Sequence, residues 1–455
     1  MTSKILNLSL VLLVCGSCSL QPKSQNRIQW NDGVIRIIQL DPTHSHAAAA
    51  QSEQLNRIDT TVYVYAPSPD DVAPYFQQIN AFNTRKVSPT KWHEVSWFGN
   101  DYLEKMAADK KGNVVVLAGN NRIKIDYIEH SVNAGMNVFS DKPMVINRSG
   151  FERLKKAYQR AGQKGVILFD MMTERYSLIN KVQRSLMQDT LLFGKLLPGT
   201  ADHPSVMESS VHHFYRGGKG TRPAWYFDVL QQGEGIVDVT THLIDLTFWK
   251  SFPNEIIDYQ KDIKVLLANR GSASLTRAEF SAATSLPAIP SSLTQYVKDS
   301  ALVVFANGSI TYLLKGIYTG VQVEWRPETP PDGNDLRNAY AEGTRSKLLI
   351  QQKYGQKQPE LCIQKQSKIS DKEFRDQLEK TISRLQTEYP GISIAEKSNM
   401  FQIVLPSGLE NTYDPTFKMF ISHLINKNLP KWEVPNTLAK YYITTTALEI
   451  ATEKK

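Results

Sequence analysis

Residues 114–144 read VVVLAGNNRIKIDYIEHSVNAGMNVFSDKPM. The run 114–118 is apolar without a break, as expected of a strand buried on both faces. From about 123 to 134 the apolar residues recur at helical spacing, and Gly135 stands where a helix ends on a left-handed residue. Residues 137–140 predict a second, short strand. Strand, helix and strand in this order form the unit of a parallel sheet covered by helices. The second strand ends in Asp141-Lys142-Pro143, at the carboxyl edge where open α/β sheets bind their ligands. A lysine there is placed to meet a cofactor and a substrate together, although a lone strand-end lysine is more often simply solvated.

Working outward, residues 34–40 (VIRIIQL) and 61–65 (TVYVY) predict two further strands. A crossover helix is expected over 47–55 and another helix over 72–80. Residues 165–169 (GVILF) predict one more buried strand, and 176–186 a helix leading into a second domain. Beyond 256, short β-rich runs alternate with turns. Asn307-Gly308 between the runs 300–305 and 309–314 is a strong hairpin signal. Strands over 347–351 and 400–405 and helices over 371–389 and 415–426 complete the series. The expected fold class is an α/β, Rossmann-like doubly wound domain over 34–165. An α+β domain with a large, mostly antiparallel sheet follows over 166–455, serving substrate binding and oligomerisation.

The first 18 residues predict a targeting segment. Lys4 supplies the positive start, 5–14 is an apolar run too short to span a bilayer, and Gly16-Ser17-Cys18 follows. Small residues directly before a cysteine resemble a bacterial lipobox, with Cys15 where leucine is usual. Cys18 is thus the expected lipidated residue, 19–33 a tether, and the bacterial cell envelope, on the periplasmic side, the expected location. An ordinary signal peptide with an incidental cysteine is the alternative. After processing, Cys362 is the one remaining thiol of three, so no internal disulfide is expected. The 455 residues, 41% apolar, suffice for a large core. A formal charge of +8 is spread thinly, and no basic run interleaved with aromatics argues for nucleic acid.

A second block, QQGEGIVDVTTHLIDLTFW over 231–249, joins the Asp-Lys-Pro block. Together they resemble the Gfo/Idh/MocA family of nicotinamide-dependent oxidoreductases. Its strand-end signature is Glu-Lys-Pro, and its glycine-rich turn leads into an Asp-x-x-x-His helix, filled here by Asp238 and His242. Spacing of four puts these two on one helical face. The resemblance covers roughly 35–252 well. It implies NAD or NADP as cofactor, hydride transfer, and Lys142, Asp238 and His242 as the catalytic residues. Lys142 would polarise the developing alkoxide, His242 would take the hydroxyl proton, and Asp238 would orient it or bind a neighbouring hydroxyl.

The chain departs from that family where a phosphate-binding Gly-x-Gly-x-x-Gly turn belongs. Asp41-Pro42-Thr43-His44-Ser45-His46 stands there instead. Without glycines the backbone stays further from a diphosphate, and Asp41 would repel it. Either Thr43, Ser45 and the histidines donate to the cofactor, helped by the following helix N-terminus, or the cofactor site is degenerate. His-x-His can also hold a metal, but two nitrogens with no carboxylate or cysteine set are too few, so none is expected. After the second strand Tyr65-Ala66-Pro67 replaces the acidic residue that would meet a ribose. Tyr65 is a candidate for the adenosine, and with no arginine next to it NAD is favoured over NADP. Asn120 and Asn121 are further cofactor candidates, or simply loop and cap residues, and Asp141 and Lys142 adjoin them.

His212, His213, Arg222 and Trp225 precede the Asp238 block, and aromatic and cationic groups of this kind suit a carbohydrate pocket. Glu174 and Arg175 follow a parallel strand and are lesser candidates for the same pocket. The lipobox, the Asp-Lys-Pro block and the His-x-His loop together resemble the lipoprotein branch of Bacteroides-type carbohydrate degraders. That implies an exported dehydrogenase of a sugar or glycoside, of the glycoside 3-dehydrogenase kind, yielding a 3-keto-sugar. Free nicotinamide nucleotide is scarce outside the cytoplasm, so a tightly bound cofactor or an electron-accepting partner is expected; a homo-oligomer is left open. One alternative is a glycosidase that oxidises C3 transiently with bound NAD and eliminates the leaving group. Another is a non-catalytic sugar-binding lipoprotein with a degenerate nucleotide site.

Overall fold

The computed structural model describes residues 33–217, 220–328, 335–408 and 411–453. The expected leader, Cys18 and the tether as far as residue 32 lie outside the described residues. Six parallel strands build the first sheet: β1 (Ile37–Leu40), β2 (Thr61–Ala66), β3 (His93–Phe98), β4 (Val114–Leu117), β5 (Asn137–Ser140) and β6 (Leu168–Asp170). Their order is β3-β2-β1-β4-β5-β6. Every residue of β1 and β4 is buried, which is what their unbroken apolar runs require. Val114, Val116, Phe139 and Phe169 feed one core, against Tyr75 and Ile79 of the Pro69–Thr84 helix. Val115, Leu117 and Val138 feed the other, with Ile128, Phe151 and Leu154 of the Lys124–Asn133 and Arg148–Lys164 helices. Gly135, at φ 81°, closes the first of these two helices as expected.

Two expectations for this domain are corrected. The crossover helix expected over 47–55 is a single turn, His46–Ala49, so it carries little dipole to the loop before it. The boundary at 165 falls short, because β6 pairs with β5 as far as Asp170. The C-terminal segment also returns to this domain. Tyr413, Phe417 and Phe420 of the Tyr413–Asn426 helix enter the first core. Tyr441 of the Glu433–Glu453 helix enters the second.

The second sheet begins with β7 (Val206–His213), β8 (Ile263–Leu275), β9 (Val297–Lys298), β10 (Ala301–Leu314) and β11 (Ile317–Arg326). It continues with β12 (Leu336–Glu342), β13 (Ser346–Gln351), β14 (Glu360–Lys365), β15 (Ser393–Lys397) and β16 (Met400–Val404). The order is β15-β16-β14-β13-β12-β7-β11-β10-β8, with β9 on β10. The β7–β11 pair is parallel, and the other pairs are antiparallel.

The hairpin expected at Asn307-Gly308 is not formed. Both residues lie within β10, where the register with β8 shifts between Val304 and Asn307. Glycine is needed there for closeness: a Cβ on Gly308 would sit 2.8 Å from Cβ of Ile236. A Cβ on Gly235 would overlap the Ala306 carbonyl. The glycine turn of the 231–249 block is thereby pressed onto β10. None of the described helices is long and apolar enough to cross a membrane.

Candidate functional site

The strand order reverses between β1 and β4, and the loops after β1, β4 and β5 leave the sheet on its carboxyl side. They meet the second domain around a cavity of about 840 Å³. His44, Ser45, His46, Asn121, Asp141 and Lys142 line it from the first domain; His212, Arg222, Trp225 and His242 line it from the second, with Glu174. Residues far apart in sequence thus share one chamber.

Lys142 reaches into it, and its Nζ donates to Asp238 Oδ1 at 2.6 Å. Asp238 Oδ2 accepts from Gln232 Nε2 at 2.8 Å. Burial pulls the Lys142 ammonium down, but the charges of Asp238 and Asp141 and the bond to Asp238 outweigh it and leave its pKa above the ordinary value. A permanent cation results. Asp238 lies in the turn before the Thr240–Ser251 helix, and His242 in the helix's first turn, so the expected shared helical face is corrected to a turn-plus-helix arrangement. His242 Nδ1 is buried without a hydrogen-bond partner. Burial, then the charge of Lys142, pushes the His242 imidazole well below its usual pKa. It is therefore neutral at pH 7.

Lys124, which the sequence reading passed over, is fully buried behind this strand end. Its Nζ donates to Asn121 Oδ1 at 2.6 Å and to the Pro143 carbonyl at 3.2 Å. Burial, only partly offset by Asp141, brings its pKa down to about 8. Asn121 Nδ2 donates to the Gln232 carbonyl and Asn120 Nδ2 to Gln231 Oε1, both at 2.8 Å. These two asparagines therefore clamp the β4 loop to the 231–249 block, and only Asn121 reaches the cavity.

The β1 loop answers whether a nucleotide diphosphate fits without the glycines. Asp41 adopts φ 48°, the left-handed conformation a glycine usually supplies and an aspartate tolerates. Its carboxyl turns away from the cavity and accepts from the Tyr127 hydroxyl at 2.8 Å. Burial raises its pKa, and the carboxyl is not among the groups that line the cavity. A Cβ on Gly119 would lie 2.7 Å from Thr43 Oγ1 and 2.8 Å from the Asp41 carbonyl. The β1 and β4 loops meet at that glycine. Thr43 Oγ1 is buried and without a partner. The arrangement fits a polyanion met by the side chains of His44, Ser45 and His46 in place of a backbone nest.

Several expected contacts are corrected. Asp41 and Thr43 pack beneath the cavity and do not line it. Tyr65 is buried and donates to Asp109 Oδ2 at 3.0 Å, away from the chamber. His213 is buried behind the wall that His212 lines, because neighbours on a strand face opposite ways. Arg175 is sealed in an ion network: its guanidinium pairs with both oxygens of Asp245 at 2.6 Å and both of Glu433 at 2.9 Å. Lys440 joins the same network through Asp245 at 3.3 Å and Asp170 at 2.9 Å. Glu174 lines the cavity and pairs with Arg337.

The remaining wall is aromatic and polar. Arg222 lies over the rings of Tyr226 (4.4 Å) and Trp325 (4.8 Å) and donates to the Phe214 carbonyl. His212 stacks on Trp325 at 4.9 Å and pairs with Asp335 Oδ2 at 2.7 Å. Trp325, Asp335, Arg337 and Tyr413 escaped the sequence reading because no motif marks them. The alternation Glu208, Ser210, His212 along β7 was a readable sign of a polar face.

The comparisons agree with this geometry. Residues 43–169 match the family model "Oxidoreductase family, NAD-binding Rossmann fold" (Gfo/Idh/MocA), and 182–452 match "Putative oxidoreductase C terminal domain". A crystal structure of a "putative oxidoreductase" from Parabacteroides merdae is 40% identical, with TM-score 0.90, covering 93% of this chain and 98% of that one. A levoglucosan dehydrogenase solved with NADH and levoglucosan is 12% identical, with TM-score 0.60 over 92% of this chain and 97% of its own. A 3-ketoreductase from Actinomadura kijaniata, solved with NADP and TDP-benzene, is 12% identical, with TM-score 0.55 over the same shares. These last two share the fold. No curated protein matches the chain. With both halves matched in order and a relative at 40% identity over nearly its whole length, the chain belongs to the Gfo/Idh/MocA oxidoreductase family, with an NAD-binding Rossmann domain.

Proposed function

We propose that this chain oxidises a hydroxyl of a sugar or glycoside, with C3 the favoured position, using NAD. The observation that carries the reading is the Lys142–Asp238 pair at 2.6 Å in a cavity that His242 also lines, at the carboxyl edge of the parallel sheet. A bound nicotinamide supplies the hydride acceptor. His44, Ser45, His46 and Asn121, which line the cavity, would hold the nucleotide, and Lys142 would lie between it and the substrate. Lys142 stabilises negative charge growing on the substrate oxygen. His242 takes the hydroxyl proton, which its neutral state permits at pH 7. Asp238 holds the Lys142 ammonium in place. Trp225 and the aromatic wall offer flat faces to a sugar ring, and Arg222 and His212 offer donors to its hydroxyls. Levoglucosan, the ligand named for the levoglucosan dehydrogenase that shares this fold, supports a carbohydrate. The same proposal has the chain exported and anchored by lipid on Cys18, with its cofactor tightly held.

The test is to denature the purified chain and analyse the supernatant by mass spectrometry. Near-stoichiometric NAD is the expected result, followed by NADH formation with a panel of hexoses and glycosides. A chain that carries no nucleotide and binds neither NAD nor NADP added back is a sugar-binding protein instead. Release of free sugar without NADH accumulation would identify the glycosidase alternative.

His242→Ala is expected to slow hydride transfer by roughly 10²-fold or more, the contribution of a positioned base. In the unmodified chain kcat/KM should stay level from pH 8 down to 6.5 and fall only below that. The sign follows from the depressed pKa: the imidazole stays unprotonated until the solution is more acidic than its ordinary titration point. An acid limb centred above pH 7, or a loss below threefold in the variant, removes His242 from the role of base.

A further inference from the structure

We propose that His44, His46 and Asp141 form a binding site for a divalent transition-metal ion, best suited to Zn²⁺, on the cavity wall between the ends of β1 and β5. The sequence shows two histidines without a carboxylate, and folding brings the carboxylate from 95 residues away. One ligand atom from each of the three lies within 4.8 Å of the other two. Asp141 Oδ1 is 3.1 Å from His46 Nδ1, and Oδ2 is 3.6 Å from His44 Nδ1. Zinc bonds of about 2.0–2.2 Å in a tetrahedron put ligand atoms roughly 3.3–3.6 Å apart. The two carboxylate–imidazole distances are already near that range, and the remaining separation, within 4.8 Å, has to shorten for the three groups to close on an ion.

The two imidazoles lie edge to face, at 84° with centroids 4.5 Å apart. Their nitrogens can converge without the rings stacking. Two histidines and one carboxylate are the donor set of zinc sites that keep a fourth position open. All three residues line the cavity, so that position faces it, and a diphosphate oxygen of the nucleotide assigned to this loop would complete the shell; His44 and His46 would then hold the nucleotide through the ion. The ligands are also braced from behind. The Asp141 amide donates to the Leu117 carbonyl at 2.7 Å, and Asp141 Oδ1 accepts the Lys142 amide at 2.9 Å. The His46 ring rests on Tyr413 at 5.2 Å. Supports of this kind orient metal ligands.

Two features oppose the ion, and both are compensated. The ammonium groups of Lys142 and Lys124 are near, but Asp238 neutralises the first, and Asn121 and the Pro143 carbonyl hold the second. His44 Nδ1 accepts the His46 amide at 3.3 Å, a long bond that ligation through this atom would replace.

The experiment needs no nicotinamide and no substrate, so its outcome is separate from that of the redox reading. The full chain, purified without a histidine tag, is stripped with EDTA, dialysed against Zn²⁺ and then against metal-free buffer. Its metal content is read by mass spectrometry. About one zinc per chain is expected, with a melting midpoint raised by zinc as binding to the folded state requires. His44→Ala and His46→Ala should each lose both the zinc and the shift, while the control His130→Ala, altered on an exposed residue, keeps both. Less than half an equivalent of zinc in the unmodified chain, or zinc that survives both substitutions, overturns the site.

Discussion

Replacing Lys142 by alanine is expected to abolish turnover, a loss beyond about 10³-fold. The size follows from where the charge sits. The ammonium is nearly buried and held above its ordinary pKa, so it acts in a medium that screens little. Two nearby cations are committed elsewhere: Lys124 is held behind the strand, and Arg222 is stacked on Tyr226 and Trp325. Asp238 keeps its bond from Gln232, so the fold should survive. Nucleotide content and the circular dichroism spectrum should stay near those of the unmodified chain while NADH formation disappears. Lys142→Arg, which keeps the charge but changes its shape, should recover a small part of the rate. Turnover within tenfold of the unmodified chain in the alanine variant would remove Lys142 from the chemistry.

Arg175→Met should lower stability by about 3–5 kcal/mol, the cost of leaving buried carboxylates without their cation. Asp245 and Glu433 are both 4% exposed, and each receives two hydrogen bonds from this one guanidinium. Lys440 still touches Asp245 at 3.3 Å, but Glu433 loses its partner. A clear drop in the thermal midpoint is the measurement. Adding Glu433→Gln to the same chain should restore part of the loss, because it removes the stranded charge. A single variant that loses less than 1 kcal/mol would show that water or neighbouring groups absorb the charge.

The fates of these two residues show what can be read from sequence. Lys142, Asp238 and His242 stand in short blocks with glycine and proline beside them, where local spacing already implies a strand end and a turn. The parallel strands were legible because runs such as 114–117 are apolar on both faces. From the sequence alone Arg175 reads as a pocket residue, because it follows a strand. Its burial is decided by Asp245 and Glu433, 70 and 258 residues away, and local spacing carries no trace of that. Asn307-Gly308 misled for a related reason. The pair suits a turn, but here it answers the close approach of Ile236 from another segment. The Glu433–Glu453 helix escaped altogether. Packed between the two domains, it has no polar face to give a helical period, and its Tyr, Ile and Thr residues suggest a strand. The third member of the proposed metal site was hidden in the same way, since β1 and β5 come together only in the finished sheet.

The return of the C-terminal helices to the first domain also bears on how the molecule comes into being. The six-stranded sheet is complete in sequence by Asp170, yet its two cores wait for Phe417, Phe420 and Tyr441. At synthesis rates of about 5–20 residues per second, that interval lasts on the order of ten seconds to a minute. Throughout it Phe139 and Phe169, which end up against Phe420, have no lid. A segment made roughly 250 residues later is what turns the earlier-made domain into a finished one.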